Sequence, residues 1–347
     1  MENKRAMIAM SGGVDSSTAA YLALQAGYEC IGATMQLLPG SSTDDALQVT
    51  QRLGIPFHAF DMIRQFQQIV MDAFTQAYEQ GLTPNPCILC NRELKFGLLL
   101  QKALELDCDK VVTGHYARIE QDAATGRYLL KKAPDTAKDQ TYFLYSLTQH
   151  QLSHTLFPLG ELSKAQVRQI AQEQGFLNAQ KRDSQDICFI PDGDYPAFLR
   201  RHTGKEYPQG SFLDLQGNVV GTHQGAVNYT LGQRKGLGIA LGAPAYVCGK
   251  DMAANTVTVG PDEALYRREL MATEVNWISI PELAFPMRIA AKARSRMQEQ
   301  PAIVYPLADG SVRVEFDQPQ RALTPGQAVV FYDGDAVVGG GTITKVL

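Results

Sequence analysis

No apolar run in this 347-residue chain approaches the ~20 residues that a membrane-spanning helix needs. The opening "MENKRAMIAM" turns directly into strand-like residues with no apolar h-region, so a cytoplasmic location is the expectation. Cysteine is scarce. Six residues, at 30, 87, 90, 108, 188 and 248, are too few and too scattered for the disulfide framework of a secreted scaffold. In a reducing compartment each thiol then needs its own explanation. Positive charge is not in excess either: a net charge of −4 gives no general pull toward nucleic acid, so any RNA contact must come from local basic patches. Internal repeats and low-complexity segments are absent. What remains is an ordinary globular composition, 45% hydrophobic and 20% charged, in a chain long enough for two or three domains and a substantial core.

Residues 1 to about 115 alternate strand and helix signals. "AMIAM", "ECIGATM", "PFHAFDM" and "KVVTGHYA" read as strands, and Thr18–Ala26, Asp44–Leu53, Arg64–Gln80 and Arg92–Leu106 as helices. Apolar strands separated by helices imply a parallel sheet covered on both faces, an α/β fold. "TGRYLLKKA" reads as a hairpin arm, and Asp139 to Phe176 as mostly helical. After about residue 204 the pattern becomes short alternating runs punctuated by Gly, Asp and Pro, an all-β signature. "AIVYPLADGSVRVEF" and "AVVFYDGDAVVGGGTITKVL" each predict two strands around a turn. The division expected is an α/β domain over 1–204, a small β-rich domain over 205–270 and a C-terminal β-barrel over 271–347.

The stretch "MSGGVDSS" (10–17) sits between the first strand and the first helix. Gly12 and Gly13 allow close backbone approach, and the N–H groups of the following helix start point at an anion. Ser11, Ser16 and Ser17 can add hydroxyl donors, and Asp15 can orient a Mg²⁺ or the loop itself. The lysine that accompanies such loops in nucleoside triphosphatases is missing. A second feature is "GLTPNPCILCNRELKFG" (81–97), where Cys87 and Cys90 lie in a proline-rich loop before a helix. With Asn91 as its N-cap and Arg92 and Lys95 close behind, that helix is expected to lower the pKa of Cys90 toward the reactive thiolate. Cys188, in "KRDSQDICFIPDGDY" downstream of Lys181 and Arg182, is the other candidate. Cys30, Cys108 and Cys248 read as small buried hydrophobes.

The string S-G-G-V-D-S after an apolar strand resembles the PP-loop of the ATP pyrophosphatase superfamily, which grips the β,γ-pyrophosphate of ATP and promotes attack at the α-phosphate. The absent lysine fits, because the γ-phosphate is not transferred. "TPNPCILCNRELKF", "TGHYAR" (113–118), "AKDQTYFLYSL" (137–147), "DSQDICFI" and "NYTLGQRKGLGI" (228–239) follow in that order. Together with the loop they resemble the tRNA-specific 2-thiouridylase family over essentially the whole chain. The resemblance implies ATP, with Mg²⁺, on Ala9, Met10, Ser11, Gly12, Gly13, Val14, Asp15 and Ser16, with Met35 and Gly114 completing the nucleotide site. It implies adenylation of a wobble uridine at O2, a persulfide on Cys188 supplying sulfur to C2, and Cys90 as the nucleophile that resolves it through a transient Cys90–Cys188 disulfide or by releasing hydrosulfide. That pairing needs Cα atoms about 4.4–6.8 Å apart, so the loop carrying one of the two is expected to move.

The target base is expected at Asn85, Pro86 and Cys87, and tRNA contacts at His115, Lys138, Asp139, Gln140, Arg294, Ser295 and Gln327. "RIAAKARSR" (288–296), with four basic residues and no acid, is the accompanying basic patch, and Arg200, Arg201, Arg234 and Lys235 are further phosphate candidates. Implied partners are tRNA, with lysine, glutamate and glutamine acceptors suggested, and a cysteine desulfurase or relay protein as sulfur donor. No membrane partner is implied, and a monomer is the expected state. Three departures stand out: Cys87 where many relatives carry aspartate, Ser295 where tyrosine is usual, and a short stretch after Met35. One alternative keeps the fold but uses Cys87, Cys90 and Cys188 as three thiolate ligands of a [4Fe–4S] cluster. Others are a different PP-loop adenylating enzyme and a nucleotide-sensing redox switch. His150 and His154 read as a polar helix surface, Asp192–Gly193–Asp194 as a solvated turn, and "GGGT" (339–342) as a barrel bend.

Overall fold

The computed structural model describes residues 4–179, 187–240 and 242–347. Its first sheet is parallel and five-stranded, ordered β3-β2-β1-β4-β7 from β1 (Arg5–Ala9), β2 (Glu29–Gln36), β3 (Phe57–Asp61), β4 (Lys110–Val112) and β7 (Thr155–Leu156). Burial on both faces follows from β1 itself. Ala6 and Ile8 enter one core with Ala19, Ala20, Ala23, Val49, Val167 and Ala171, while Met7 enters the opposite core with Leu99, Leu100 and Ala103. Period-two alternation thus separates two apolar layers, each covered by helices. The strand order reverses between β1 and β4, and in open α/β sheets such a switch point opens a crevice at the carboxyl ends of the strands.

Several elements differ from the sequence expectation. β4 stops at Val112, so "TGHY" is a loop beyond the strand end rather than strand. The helix over the second cysteine region starts at Pro86, six residues earlier than expected, because Asn85 caps it: its Oδ1 accepts the Cys87 N–H at 3.2 Å, and Pro86 takes the first position. Asn91, the expected cap, is instead buried inside the helix and donates from Nδ2 to the Phe143 carbonyl. Helical turns continue to residue 105, with π-helical winding over Cys90–Leu98; the helix over 63–79 has π-helical winding over Gln67–Met71. The region 139–176 is mostly not helical. It holds short helices at Gln149–Ser153 and Lys164–Glu173, a 3₁₀ turn at Thr141–Phe143 and the edge strand β7.

Helix Tyr195–Thr203, capped by Asp194, leads into a four-stranded sheet ordered β10-β11-β8-β9 from β8 (Gly210–Leu213), β9 (Val219–His223), β10 (Tyr246–Asp251) and β11 (Thr256–Gly260). The last unit is a closed barrel. β12 (Tyr266–Trp277), β15 (Val312–Arg321), β14 (Gln300–Pro306), β13 (Met287–Lys292), β16 (Ala328–Asp333) and β17 (Ala336–Val346) follow in space, and β12 pairs again with β17. β12 begins at Tyr266, so the expected boundary at 270/271 falls inside it. The "GGGT" stretch also lies within a strand, β17, where a Cβ at Gly340 would sit 2.6 Å from the Tyr145 ring.

One joint has no counterpart in the sequence reading. The hairpin of β5 (Ala117–Gln121) and β6 (Tyr128–Lys132), from the first domain, extends the barrel sheet through Ala336↔Lys131. Around it Leu130, Tyr142, Leu144, Tyr145 and Leu147 share one buried core with Ile278, Ala328, Val330, Tyr332 and Val337.

Candidate active site

The crevice at the β1/β4 switch point is a cleft of about 460 Å³. Its walls include Ala9 at the end of β1, Met10, Ser11, Asp15 and Ser16 beyond it, Thr34 and Met35 from β2, Thr113–His115 after β4, and Gln140, Lys95 and Cys188. The expected nucleotide residues and the expected sulfur carrier therefore face one space. Gly12 and Gly13 form the turn and Val14 opens the helix; none of the three lines the cleft.

That turn is closed by its own hydroxyls. Gly12 has φ +70°, and a Cβ there would lie 2.7 Å from the Asp45 Cβ. Ser16 Oγ and Ser17 Oγ each donate to the Gly13 carbonyl at 3.0 Å, and Ser16 Oγ accepts the Ser11 N–H at 3.2 Å. Ser17 is fully buried, so its hydroxyl shapes the loop instead of reaching an anion. Asn178, which carried no signal in the sequence, donates from Nδ2 to the Gly12 carbonyl at 3.0 Å and to Ser17 Oγ at 2.9 Å. Gly114 packs flat against the loop: a Cβ would stand 2.7 Å from the Asp15 carbonyl carbon and 2.9 Å from the Ser16 nitrogen.

Asp15 is held by two side chains from outside the loop. Lys164 Nζ lies 2.8 Å from both carboxylate oxygens, and Tyr116 OH donates to Oδ1 at 2.8 Å. Only 12% of the Lys164 side chain is exposed. A lysine is therefore present at this phosphate loop, delivered from a helix some 150 residues downstream. The capping box Ser163–Gln166, legible as S-x-x-Q, fixes where that helix starts and hence where Lys164 points.

The thiols correct the expectation of an activated Cys90. Cys90 lies one turn inside the helix, is 8% exposed, and burial raises its pKa, with the Lys95 ammonium opposing and Cys87 adding to the rise. Cys87, near the helix start, is also raised by desolvation despite Lys95. Cys188 meets solvent, yet desolvation by the surrounding protein, then Cys90 and Cys87, push it up to about 11. All six cysteines are free thiols. Lys181 and Arg182, taken as neighbours of Cys188, lie outside the described residues; Phe189 and Ile190 on its other side are buried against Phe66, Phe74 and Phe198. Among the described residues no group of three or more His, Cys, Asp or Glu is placed to hold a metal ion. Cys30 and Cys108 are buried, as expected of hydrophobic cysteines.

The residues expected to meet tRNA are dispersed and partly engaged. His115 is buried between Phe96 and Phe157, shares a 2.7 Å hydrogen bond with Thr113 Oγ1, and is kept neutral by desolvation and Lys95. Asp139 accepts from the Ala133 N–H and from Thr141 Oγ1, while Gln140 Oε1 accepts the Tyr116 N–H and still borders the cleft. Lys138 lies one residue before Asp139 on the same segment. Arg294 donates to the Ala322 carbonyl and to Thr324 Oγ1, and Ser295 follows it at the barrel surface. Gln327 donates from Nε2 to the Thr83 carbonyl at 2.6 Å. The His150 and His154 rings lie tilted against one another, 4.5 Å between centroids, on a helix end away from the cleft lining.

A doubly covered parallel sheet with a glycine-rich nucleotide loop at its switch point, joined to a barrel, defines a PP-loop type of nucleotide-using enzyme. Three family models match in sequence: the tRNA methyl transferase HUP domain over residues 4–192, the tRNA methyl transferase PRC-barrel domain over 196–261, and the aminomethyltransferase beta-barrel domain over 267–343. The chain is 51% identical to a tRNA-specific 2-thiouridylase MnmA of Acetivibrio thermocellus, over 99% of this chain and 100% of the relative. It is 48% identical to the enzyme of that name from Clostridioides difficile, over 99% of each chain. Among solved structures, a 4-thiouridine synthetase–RNA complex with bound ATP aligns at a TM-score of 0.37 and 15% identity, covering 58% of this chain and 50% of that one. The chain belongs to the tRNA-specific 2-thiouridylase family. No helix among its described residues is long and apolar enough to cross a membrane.

Proposed function

We propose that the protein is an ATP-dependent tRNA sulfurtransferase that converts the wobble uridine to 2-thiouridine. The observation that carries this reading is the shared cleft, in which the nucleotide loop and the Cys188 thiol face one another across a space bordered by Lys95. ATP, with its Mg²⁺, binds the loop residues Ala9–Ser16 with Met35 and Gly114 alongside. Uridine O2 attacks the α-phosphate, pyrophosphate leaves, and O2 becomes the oxygen of an AMP leaving group. Cys188, loaded as a persulfide by a cysteine desulfurase or relay protein, attacks C2 with its outer sulfur, and AMP departs. Cys90 Sγ then attacks Cys188 Sγ. The sulfur–sulfur bond breaks, the 2-thiouridine leaves carrying the outer sulfur, and a Cys90–Cys188 disulfide remains for an external dithiol to reduce.

The raised thiol pKa values support sulfur carriage as a persulfide, because bare Cys188 is mostly protonated at neutral pH whereas persulfides are more acidic than thiols. Asn85, Pro86 and Cys87 form the helix start expected to meet the target base; His115, the Lys138–Gln140 segment, Arg294 and Ser295 remain the candidates for RNA contact, with lysine, glutamate and glutamine tRNAs as substrates. The test combines reduced protein, ATP-Mg²⁺, unmodified tRNA, a cysteine desulfurase and cysteine, followed by mass spectrometry of the digested nucleosides. Wild type is expected to add one sulfur at the wobble uridine and Cys188→Ser to add none. ATP consumption without a thionucleoside would sink the thiolation reading while leaving the nucleotide loop intact.

A further inference from the structure

The loop that leads into the helix carrying Cys87 and Cys90 is held by the barrel. Thr83 N–H donates to the Pro325 carbonyl at 2.9 Å, and Gln327 Nε2 donates to the Thr83 carbonyl at 2.6 Å. The Gln327 side-chain amide completes a two-point pairing of the kind one strand makes with its neighbour. Close approach needs the glycine between them. Gly326 has φ +90°, and a Cβ would lie 2.7 Å from the Thr83 nitrogen and 2.9 Å from the Leu82 Cβ. Two residues beyond Thr83, Asn85 caps the helix that carries both thiols.

Packing alone does not fix this loop. A cavity of about 180 Å³ lies between it and the barrel, lined in part by Pro84, Asn85, Pro86, Gly326 and Ala328. With space behind the loop, the strap decides its position. We propose that the barrel turn 324–327 is a positioning device for the thiol-bearing helix, with Gln327 acting as a positioning residue through Thr83 and Asn85 on Cys87 and Cys90. This role differs from the RNA contact expected of Gln327. Its consequence for catalysis rests on the thiolation reading, but its test does not.

The experiment uses the reduced full-length protein without ATP or tRNA and follows iodoacetamide labelling of each cysteine by peptide mass spectrometry. Two variants break the strap differently: Gln327→Met removes the donor at similar length, and Gly326→Ala drives a methyl into Thr83 while keeping the glutamine. Both are expected to speed Cys90 labelling by about fivefold or more, the effect of losing one hydrogen bond on a local opening equilibrium. Cys30 and Cys108, buried in the first domain, serve as internal controls and are expected to stay unchanged. Affinity of Gln327→Met for tRNA is followed alongside by filter binding, which separates a positioning role from an RNA contact. Unchanged Cys90 labelling would overturn the proposal, and with weakened tRNA binding would make Gln327 an RNA contact. Equal acceleration at Cys30 and Cys108 would also overturn it, because the strap would then support the whole fold and not the thiols.

Discussion

At the scale of single residues, the chemistry of the cleft depends on groups whose titration is displaced by burial or that are tied to an opposite charge. Because the Cys188 thiol is pushed up to about 11, its thiolate fraction at pH 7 is small. Its alkylation rate is therefore expected to rise about tenfold per pH unit from 7 to 10. A rate that levels off below pH 8 would contradict the desolvation that raises it. The persulfide form, measured after loading by a desulfurase, is expected to label readily at pH 7. Lys164 is the second such group: its ammonium pairs with Asp15 in the loop proposed to hold the polyphosphate. Lys164→Met leaves that carboxylate paired only with Tyr116 among the contacts described above, facing an anion. It is expected to lower tRNA-dependent AMP release at least about tenfold, with partial rescue by Lys164→Arg and little change in melting temperature. An unchanged rate would reduce Lys164 to a surface ion pair. The Lys164 contact cannot be read from the chain alone, because Lys164 lies far from the loop it serves, and the sequence around Cys90 points to a lowered pKa where burial raises it.

At the scale of elements, legibility followed locality. The four long β/α units, the hairpin at "TGRYLLKKA" and the paired strands of the last seventy or so residues were visible because each carries its own period and turn residues. What was misjudged depends on contacts between elements. The helix over 86–105 begins at Asn85 because the asparagine side chain, freed by Pro86 at the next position, reaches the Cys87 N–H; Asn91 has the same cap chemistry but is drawn into the core by Phe143. "TGHY" reads as a strand continuation, yet Gly114 must press against Asp15 and Ser16, which only a loop leaving the sheet allows. This contact is testable. Gly114→Ala forces a methyl to within 3 Å of three loop atoms and, as overpacking, costs about 1–3 kcal/mol locally. The loop is expected to yield before the buried sheet does. ATP affinity by titration calorimetry should fall by about tenfold or more while the circular dichroism spectrum is unchanged. Wild-type affinity in this variant would show that the loop shifts without harm and that Gly114 is not what shapes the nucleotide site.

At the scale of the whole molecule, the division into three units hides a shared core. Leu130, Tyr142, Leu144, Tyr145 and Leu147 belong to the first domain by sequence, yet they are buried together with barrel residues Ile278, Val330 and Val337. Polar contacts cross the same joint: Asn276 Nδ2 donates to the Tyr145 and Leu147 carbonyls, Arg127 donates to the Trp277 and Ile278 carbonyls, Tyr142 OH donates to the Ala328 carbonyl, and Arg118 pairs with Asp335 at 2.6 Å. Separating the units would expose several large apolar side chains and strand buried donors, so the two are expected to unfold as one cooperative body. The chain's single tryptophan makes this measurable. Trp277 stacks on Phe331 in the barrel beside the Arg127 contact, so its fluorescence reports the barrel, whereas far-ultraviolet circular dichroism near 222 nm is dominated by the helices of the first domain. In urea the two signals are expected to share one midpoint. Asn276→Ala with Arg127→Ala, which removes four hydrogen bonds across the joint, is expected to lower that midpoint and pull the two curves apart. Separate midpoints already in the wild type would mean that the barrel is tethered rather than fused, and the strap at Gln327 would then have no rigid body to pull against.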